Sequence, residues 1–130
     1  MSIVTRTNWH PDSVCPRRQL RWRTTHMAFY RLANLERVGA AASETEQRPG
    51  IRGERVELGY YRYPPGTKKQ PHSHPEEQIV TVIRGKLGYR VVDETRVLGP
   101  GEAVYIPANI EHENWSLDEE VEFISCKNLL

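Results

Sequence analysis

From Gly50 onward the chain alternates apolar and polar residues in short runs broken by glycine and proline. The runs ERVELGYYRY, QIVTVIRG, KLGYRVV, TRVLG, EAVYIP, HENWS and VEFISC are rich in Val, Ile and Tyr, the residues favoured on half-buried pleated surfaces. Their close spacing predicts an all-β sandwich or barrel. Pro64-Pro65-Gly66 and Gly99-Pro100-Gly101 fall where strands must stop. The segment VVDETRVL reads as a hairpin turning at Asp93 and Glu94, although that pair lacks the Gly or Asn of the tightest turns. Upstream the periodicity disappears. Residues 1–26 hold two tryptophans and an excess of arginine without an apolar period, 29–38 fit a short helix or a strand, and GAAASETEQRPG at 39–50 is linker-like. The expectation is an extension and linker over 1–48, then one β-barrel domain over 49–130.

Composition narrows the partners. A chain of 130 residues is long enough for one domain with a core. Its 18 Lys and Arg nearly cancel its 17 Asp and Glu, so no global field draws it to nucleic acid or an acidic membrane. A small-molecule substrate or ligand fits that balance. Basic residues interleaved with Trp9 and Trp22 resemble a stacking surface for nucleic acid, yet a solvated or loosely docked tail accounts for them more simply. Met27 is an alternative start. Cys15 and Cys126 lie far apart and follow no secretory leader, so both read as free thiols in a reducing, cytoplasmic setting. The longest apolar run, IVTVI at 79–83, is far short of the roughly 20 residues of a spanning helix.

Candidate chemistry concentrates in GTKKQPHSHPEEQ, residues 66–78. Side chains alternate faces in a strand, so His72 and His74 fall on one face roughly 6–7 Å apart and can converge on one ion. Continued parity places Gln78 on that face and turns Glu77 away. Val80 and Val82 then line the adjoining wall with apolar surface, giving a dry pocket beside polar donors. Taken alone, His-x-His is a weak signal.

A second stretch supplies context. PGTKKQPHSHPEEQIVTVIRG, 65–85, resembles the first signature of the cupin superfamily, and GPGEAVYIPANIEHENWS, 99–116, resembles the second. Gly66, His72, His74 and Gly85 meet the first, with Gln78 where the commonest form has Glu. Gly101, Pro107 and His112 meet the second, with Asn109 in place of Gly and Ser116 in place of Asn. Asn tolerates positive φ, so the former change is mild. The resemblance implies a double-stranded β-helix, a small jelly-roll barrel, with one metal ion held inside by His72, His74, Gln78 and His112. His10 and His26 match nothing. Three imidazoles and an amide suit Fe, Mn, Co, Ni or Zn. The superfamily's habit of pairing barrels implies a homodimer.

Gln78 colours the chemistry. A neutral amide leaves the charge of a bound cation undiminished where a glutamate would lower it by one, which favours Lewis-acid work over stabilising a higher oxidation state. The wording HSHPEEQ is similar to small single-domain cupins that include KdgF-like uronate ring-opening enzymes and some isomerases. Their last strand carries an acid, an aromatic residue and an arginine; EFISCKN here puts Glu122, Ile124 and Asn128 at those places. Loss of the arginine removes a bidentate grip on a carboxylate and speaks against uronate. Glu122 is a candidate general acid or base if it faces inward with Ile124 and Cys126, and a solvated charge if Val121, Phe123 and Ser125 do. Tyr61, Tyr63 and Tyr105 read as packing, and Trp115, of opposite parity to His112, as outer-face surface.

The leading expectation is a metal-dependent enzyme that isomerises, opens or eliminates from a small hydroxy-carbonyl, sugar-acid-like compound. A non-haem metal dioxygenase and a non-catalytic ligand-binding or sensor cupin are the alternatives. No helix-turn-helix follows the barrel, which disfavours a self-contained transcription factor.

Overall fold

The alternation of apolar residues is satisfied by two antiparallel sheets that face one another. A computed structural model describes residues 29–35, 37–38 and 48–130. The readings made on Trp9, His10, Cys15, Trp22, His26, Met27 and residues 39–47 fall outside the described residues. Arg31–Leu130 forms one unit, to which everything below refers. It therefore takes in part of the segment expected to precede the barrel.

In chain order the elements are a one-turn 3-10 helix Leu32–Asn34, then strands β1 Arg37–Val38, β2 Arg48–Arg52, β3 Val56–Tyr63, β4 Lys68–His72, β5 Gln78–Arg84, β6 Leu87–Val91, β7 Glu94–Leu98, β8 Ala103–Ile106, β9 His112–Ser116 and β10 Val121–Asn128. One sheet has the order β1-β2-β3-β10-β5-β8 and the other β4-β9-β6-β7. This is the jelly-roll arrangement expected from the sequence. Ladder registers such as Phe123 opposite both Tyr61 and Val82 keep inward residues at one level.

Burial follows the period of two. Along β5, Gln78, Val80 and Val82 are buried while Ile79 and Ile83 are exposed. Along β10, Val121, Phe123 and Ser125 are buried. The core joins Val80, Val82, Leu87, Tyr89, Leu98, Ile106, Val121 and Phe123. Tyr61 stacks on Phe123 with centroids 4.9 Å apart, and Tyr63 meets the same ring edge-on at 4.9 Å, geometries that add to simple area burial. Both tyrosines pack against the core, as expected.

Three strand readings are corrected. β4 is KKQPH, too polar to show alternation, and β2 is RPGIR, whose Pro and Gly resemble a linker. Both are recruited by neighbours, β2 by β3 and β4 by β9. The β6–β7 hairpin pairs Val91 with Glu94, so it turns at Val92 and Asp93, one residue earlier than expected. Val92 takes φ 57°, the left-handed region that a β-branched residue avoids. Its N–H donates to the Glu111 carbonyl at 3.0 Å, and the Arg90 guanidinium donates to the Val92 carbonyl, so tertiary bonds hold the turn in place.

Candidate metal centre

His72 ends β4 and His112 begins β9, and the two are directly opposite in the antiparallel ladder. His74 sits two residues further along, in the loop that leaves the four-stranded sheet for β5 of the other sheet, where Gln78 is the first residue. The expected continuous strand through both histidines is thus interrupted. Parity nevertheless survives the break, because Glu77 is exposed and Gln78 buried. Glu77 instead accepts a bond from the Tyr105 hydroxyl at 2.5 Å on the outer surface.

The three imidazoles converge. Ring centroids lie 4.3 Å apart for His72 and His112, 4.8 Å for His74 and His112, and 5.8 Å for His72 and His74. One ligand nitrogen from each lies within 4.8 Å of the others. Every Nδ1 is bonded to a backbone carbonyl two residues away: His72 to Gln70 at 2.8 Å, His74 to Glu76 at 3.0 Å and His112 to Ile110 at 2.8 Å. A carbonyl only accepts, so each Nδ1 carries a hydrogen and each Nε2 of a neutral ring presents a lone pair. The Glu76 carboxylate, 3.4 Å from Nδ1 of His74, supports that orientation. Partners of this kind orient the ring and raise its basicity as a ligand.

Gln78 completes the set. Its Nε2 donates to Ser125 Oγ at 2.7 Å, which turns Oε1 toward His74 Nε2 at 3.0 Å. A lone-pair nitrogen and a carbonyl oxygen at that separation repel unless a proton or a cation lies between them. His112 is 1% exposed, and its Nε2 is buried with no hydrogen-bond partner. Such an orphaned acceptor costs roughly 1–3 kcal/mol. Burial pushes the His74 and His112 rings below their ordinary pKa, so they stay neutral and available as ligands. The donor set fits a divalent transition metal.

The loops that carry these ligands are locked to each other. Asn109 takes φ 62°, as its tolerance of the left-handed region allows, and its N–H donates to the His74 carbonyl at 2.7 Å. Ser116 Oγ accepts from the Thr67 N–H at 2.8 Å and donates to the Pro64 carbonyl at 2.6 Å, a supporting bond that serine still supplies. A cavity of about 980 Å³ opens on the cluster, and Tyr61, Tyr63, Tyr89, Asn114, Phe123 and Lys127 are among its walls.

Glu122 is not brought to this cavity. It lies on the opposite face of β10, bonded to the Tyr60 hydroxyl and 3.8 Å from Arg84. Asn128 shares that face and accepts from the Glu77 N–H at 2.7 Å. The inward residues of the last strand are Phe123, Ser125 and Lys127, one position out of step with the acid, aromatic and arginine places considered above. Lys127 is missed by the sequence and Ser125 is offered only within one of two possible inward sets: alternation groups both with Val121 and Phe123 but does not say which set meets the cavity. Trp115 is on the outer face, where its ring covers Gly88 so closely that any side chain there would collide with it.

Two antiparallel sheets closed around histidines from both ends of the motif define a small jelly-roll barrel protein with a metal-ligand-like cluster. The chain belongs to the cupin domain family, whose model matches residues 59–126. It is similar to the H2HPP isomerase of Bacillus subtilis, 39% identical over 85 residues, which is 64% of this chain and 36% of that protein. It thus spans little more than a third of that relative. An uncharacterised protein of Streptomyces coelicolor is 26% identical over 95 residues, 73% of this chain and 90% of its own length. Among solved structures, KdgF from Halomonas sp. superposes with a TM-score of 0.66 at 20% identity, covering 79% of this chain and 94% of that one. This last likeness concerns the fold.

Proposed function

We propose that the protein is a metal-dependent enzyme that isomerises, ring-opens or eliminates from a small hydroxy-carbonyl compound. The observation that carries the reading is the convergence of three lone-pair imidazole nitrogens and the Gln78 oxygen, each fixed by a bond on its far side. A divalent ion held by His72, His74, Gln78 and His112 would supply Lewis acidity, polarising a substrate carbonyl or hydroxyl with its charge undiminished by the neutral amide. Phe123, Tyr61 and Tyr63 give the cavity an aromatic wall, beside which electrostatic contacts are strengthened, whereas Val80 and Val82, expected in that wall, are packed in the core. Burial raises the Tyr63 hydroxyl above its ordinary pKa, so it stays protonated at neutral pH. None of the reactions grouped here involves net oxidation. Isomerisation moves a proton from one position to another, ring opening of a hemiacetal moves it from the hydroxyl to the ring oxygen as the C–O bond breaks, and elimination removes it from carbon while the hydroxyl leaves as water. The name of the Bacillus isomerase supports this direction.

Elemental analysis of protein purified without added ions, compared with His112→Ala, tests the centre: the expected result is close to one transition-metal ion per chain, lost in the variant. Turnover of a panel of hydroxy-keto compounds under nitrogen tests the chemistry. Conversion without oxygen is expected. An absolute requirement for oxygen with oxygenated product would replace this reading with the dioxygenase.

A further inference from the structure

Resting on the reading above, we propose that the end of the cavity bounded by Leu32, Leu35, Pro49, Tyr61 and Tyr63 is a subsite for an apolar ring. The substrate is then a hydroxy-carbonyl compound with an aryl-sized arm rather than a polyhydroxylated sugar acid.

The cavity is longer than the metal centre needs. Gln78 opens β5, and the sheet order sets β10 and β3 between that strand and β2, which carries Pro49. Three strand spacings put Pro49 up to roughly 14 Å from the Gln78 end. Both residues nonetheless line the same cavity of about 980 Å³, at the upper end of the roughly 300–1,000 Å³ usual for ligand sites. A short hydroxy acid held at His72, His74 and Gln78 would leave the far end to water. The two ends also differ in chemistry. Imidazoles and the amide occupy one, and the cations of the walls lie with them or are engaged elsewhere: Lys127 is opposite Gln78 in the ladder, Lys69 is on β4 with His72, and Arg62 is held by Glu120 at 2.8 Å.

The other end is built from carbon. Leu32 and Leu35 come from the one-turn 3-10 helix and the residue that follows it. Residues three apart eclipse one another in such a turn, which sets both leucines on one side. They are half-buried, with Ala33 exposed between them, and all three line the cavity together with Pro49. The β2–β3 ladder ends at Gly50 and Gly59 among the described residues, and beyond it these side chains share the cavity wall with the rings of Tyr61 and Tyr63. Those rings are already ordered: Tyr61 is stacked on Phe123, and Tyr63 meets Tyr61 edge-on with centroids 6.2 Å apart. A flat apolar ring entering beside them would find aromatic edges and aliphatic carbon, the contacts such a group prefers. A polyol chain there would set hydroxyls against leucine and proline, where an unpaired hydroxyl carries its full desolvation penalty.

The test is calorimetric titration of nickel-loaded protein with lactate, 3-phenyllactate and gluconate, and with propane-1,2-diol and 3-phenylpropane-1,2-diol as an uncharged pair. In each pair the phenyl compound is expected to bind about tenfold or more tightly, the gain from burying a ring of that size. Gluconate should bind no more tightly than lactate. In the double variant Leu32→Ala, Leu35→Ala the phenyl gain should shrink by about threefold or more, while lactate binding, nickel affinity and melting temperature hold, since neither leucine belongs to the buried core. Replacing both by methionine, which keeps apolar bulk, should retain the gain. The comparison on the unaltered chain stands by itself should a variant not fold. Phenyl compounds that bind no more tightly than their short partners, gluconate that binds more tightly than 3-phenyllactate, an unaltered gain in the alanine variant, or no binding of any compound at millimolar concentration would overturn the subsite and leave the metal centre standing. Should the protein bind no nickel, the metal reading fails by itself, and the same pairs on metal-free protein decide the subsite.

Discussion

Gln78 shows how much chemistry one amide can hold when its far end is anchored. Its oxygen faces the imidazoles only because its NH2 group is engaged by Ser125. Ser125→Ala removes that anchor without adding volume, and metal affinity should fall about 10- to 100-fold, the usual effect of losing an outer partner of a ligand. Competition against a chelating dye measures it; unchanged affinity would mean that Ser125 does not orient the amide. Val92 illustrates the opposite situation, a residue type at odds with its backbone. Relief of left-handed strain of about 1–2 kcal/mol outweighs the roughly 0.5–1 kcal/mol conformational cost of glycine. Val92→Gly should therefore stabilise the fold by up to about 1 kcal/mol and raise the melting temperature by a few degrees, with little lost packing because Val92 is 54% exposed. The motif residues at 72, 74, 78 and 112 are legible in the chain, since each is a chemically distinctive type at a fixed spacing. Ser125 and Lys127 are not, because a serine and a lysine near the end of a strand carry no signal until the facing strand is known.

At the level of elements, strands that alternate are legible and strands that are recruited are not. QIVTVIR and VEFISC announce themselves through apolar parity, and β5 and β10 occupy those positions. KKQPH has no apolar residue; its strand exists because β9 supplies partners on one side and His72 must lie beside His112. The break after His72 hides the same way, since the sheet-to-sheet crossing is a property of two sheets. Gly85 marks a junction where sequence and packing agree. It takes φ 80° between β5 and β6, and an added Cβ would collide with the Glu120 carbonyl at the start of β10. Gly85→Ala should cost about 1–3 kcal/mol for the disallowed backbone and more for the collision, read as a lower denaturant midpoint at unchanged slope. Full retention of stability would show that the β5–β6 turn can relax.

For the molecule as a whole, the centre joins both sheets, so occupancy should stabilise the entire fold. His72 and His112 belong to the four-stranded sheet, Gln78 and its anchor Ser125 to the six-stranded one. A metal ion at 100 times its dissociation constant should add about 2.7 kcal/mol, and stripping it with a chelator should lower the melting temperature by roughly 10 °C or more for a domain of this size. Calorimetry with and without chelator checks this. An unchanged melting temperature in protein that demonstrably binds the ion would mean that the metal-free centre is held together as tightly by its own hydrogen bonds.

The order of donors along the chain, the alternation that points them inward and the neutral character of the fourth donor were all determined by the amino-acid sequence, because each depends only on residue type and local spacing. Which face of the last strand meets the cavity, which way the Gln78 amide turns, and that Glu122 looks outward while Lys127 looks in were decided by the tertiary structure alone. These outcomes depend on strand registers and partner contacts between residues some 40 to 50 positions apart, such as Gln78 with Ser125, and no local pattern encodes where such partners meet.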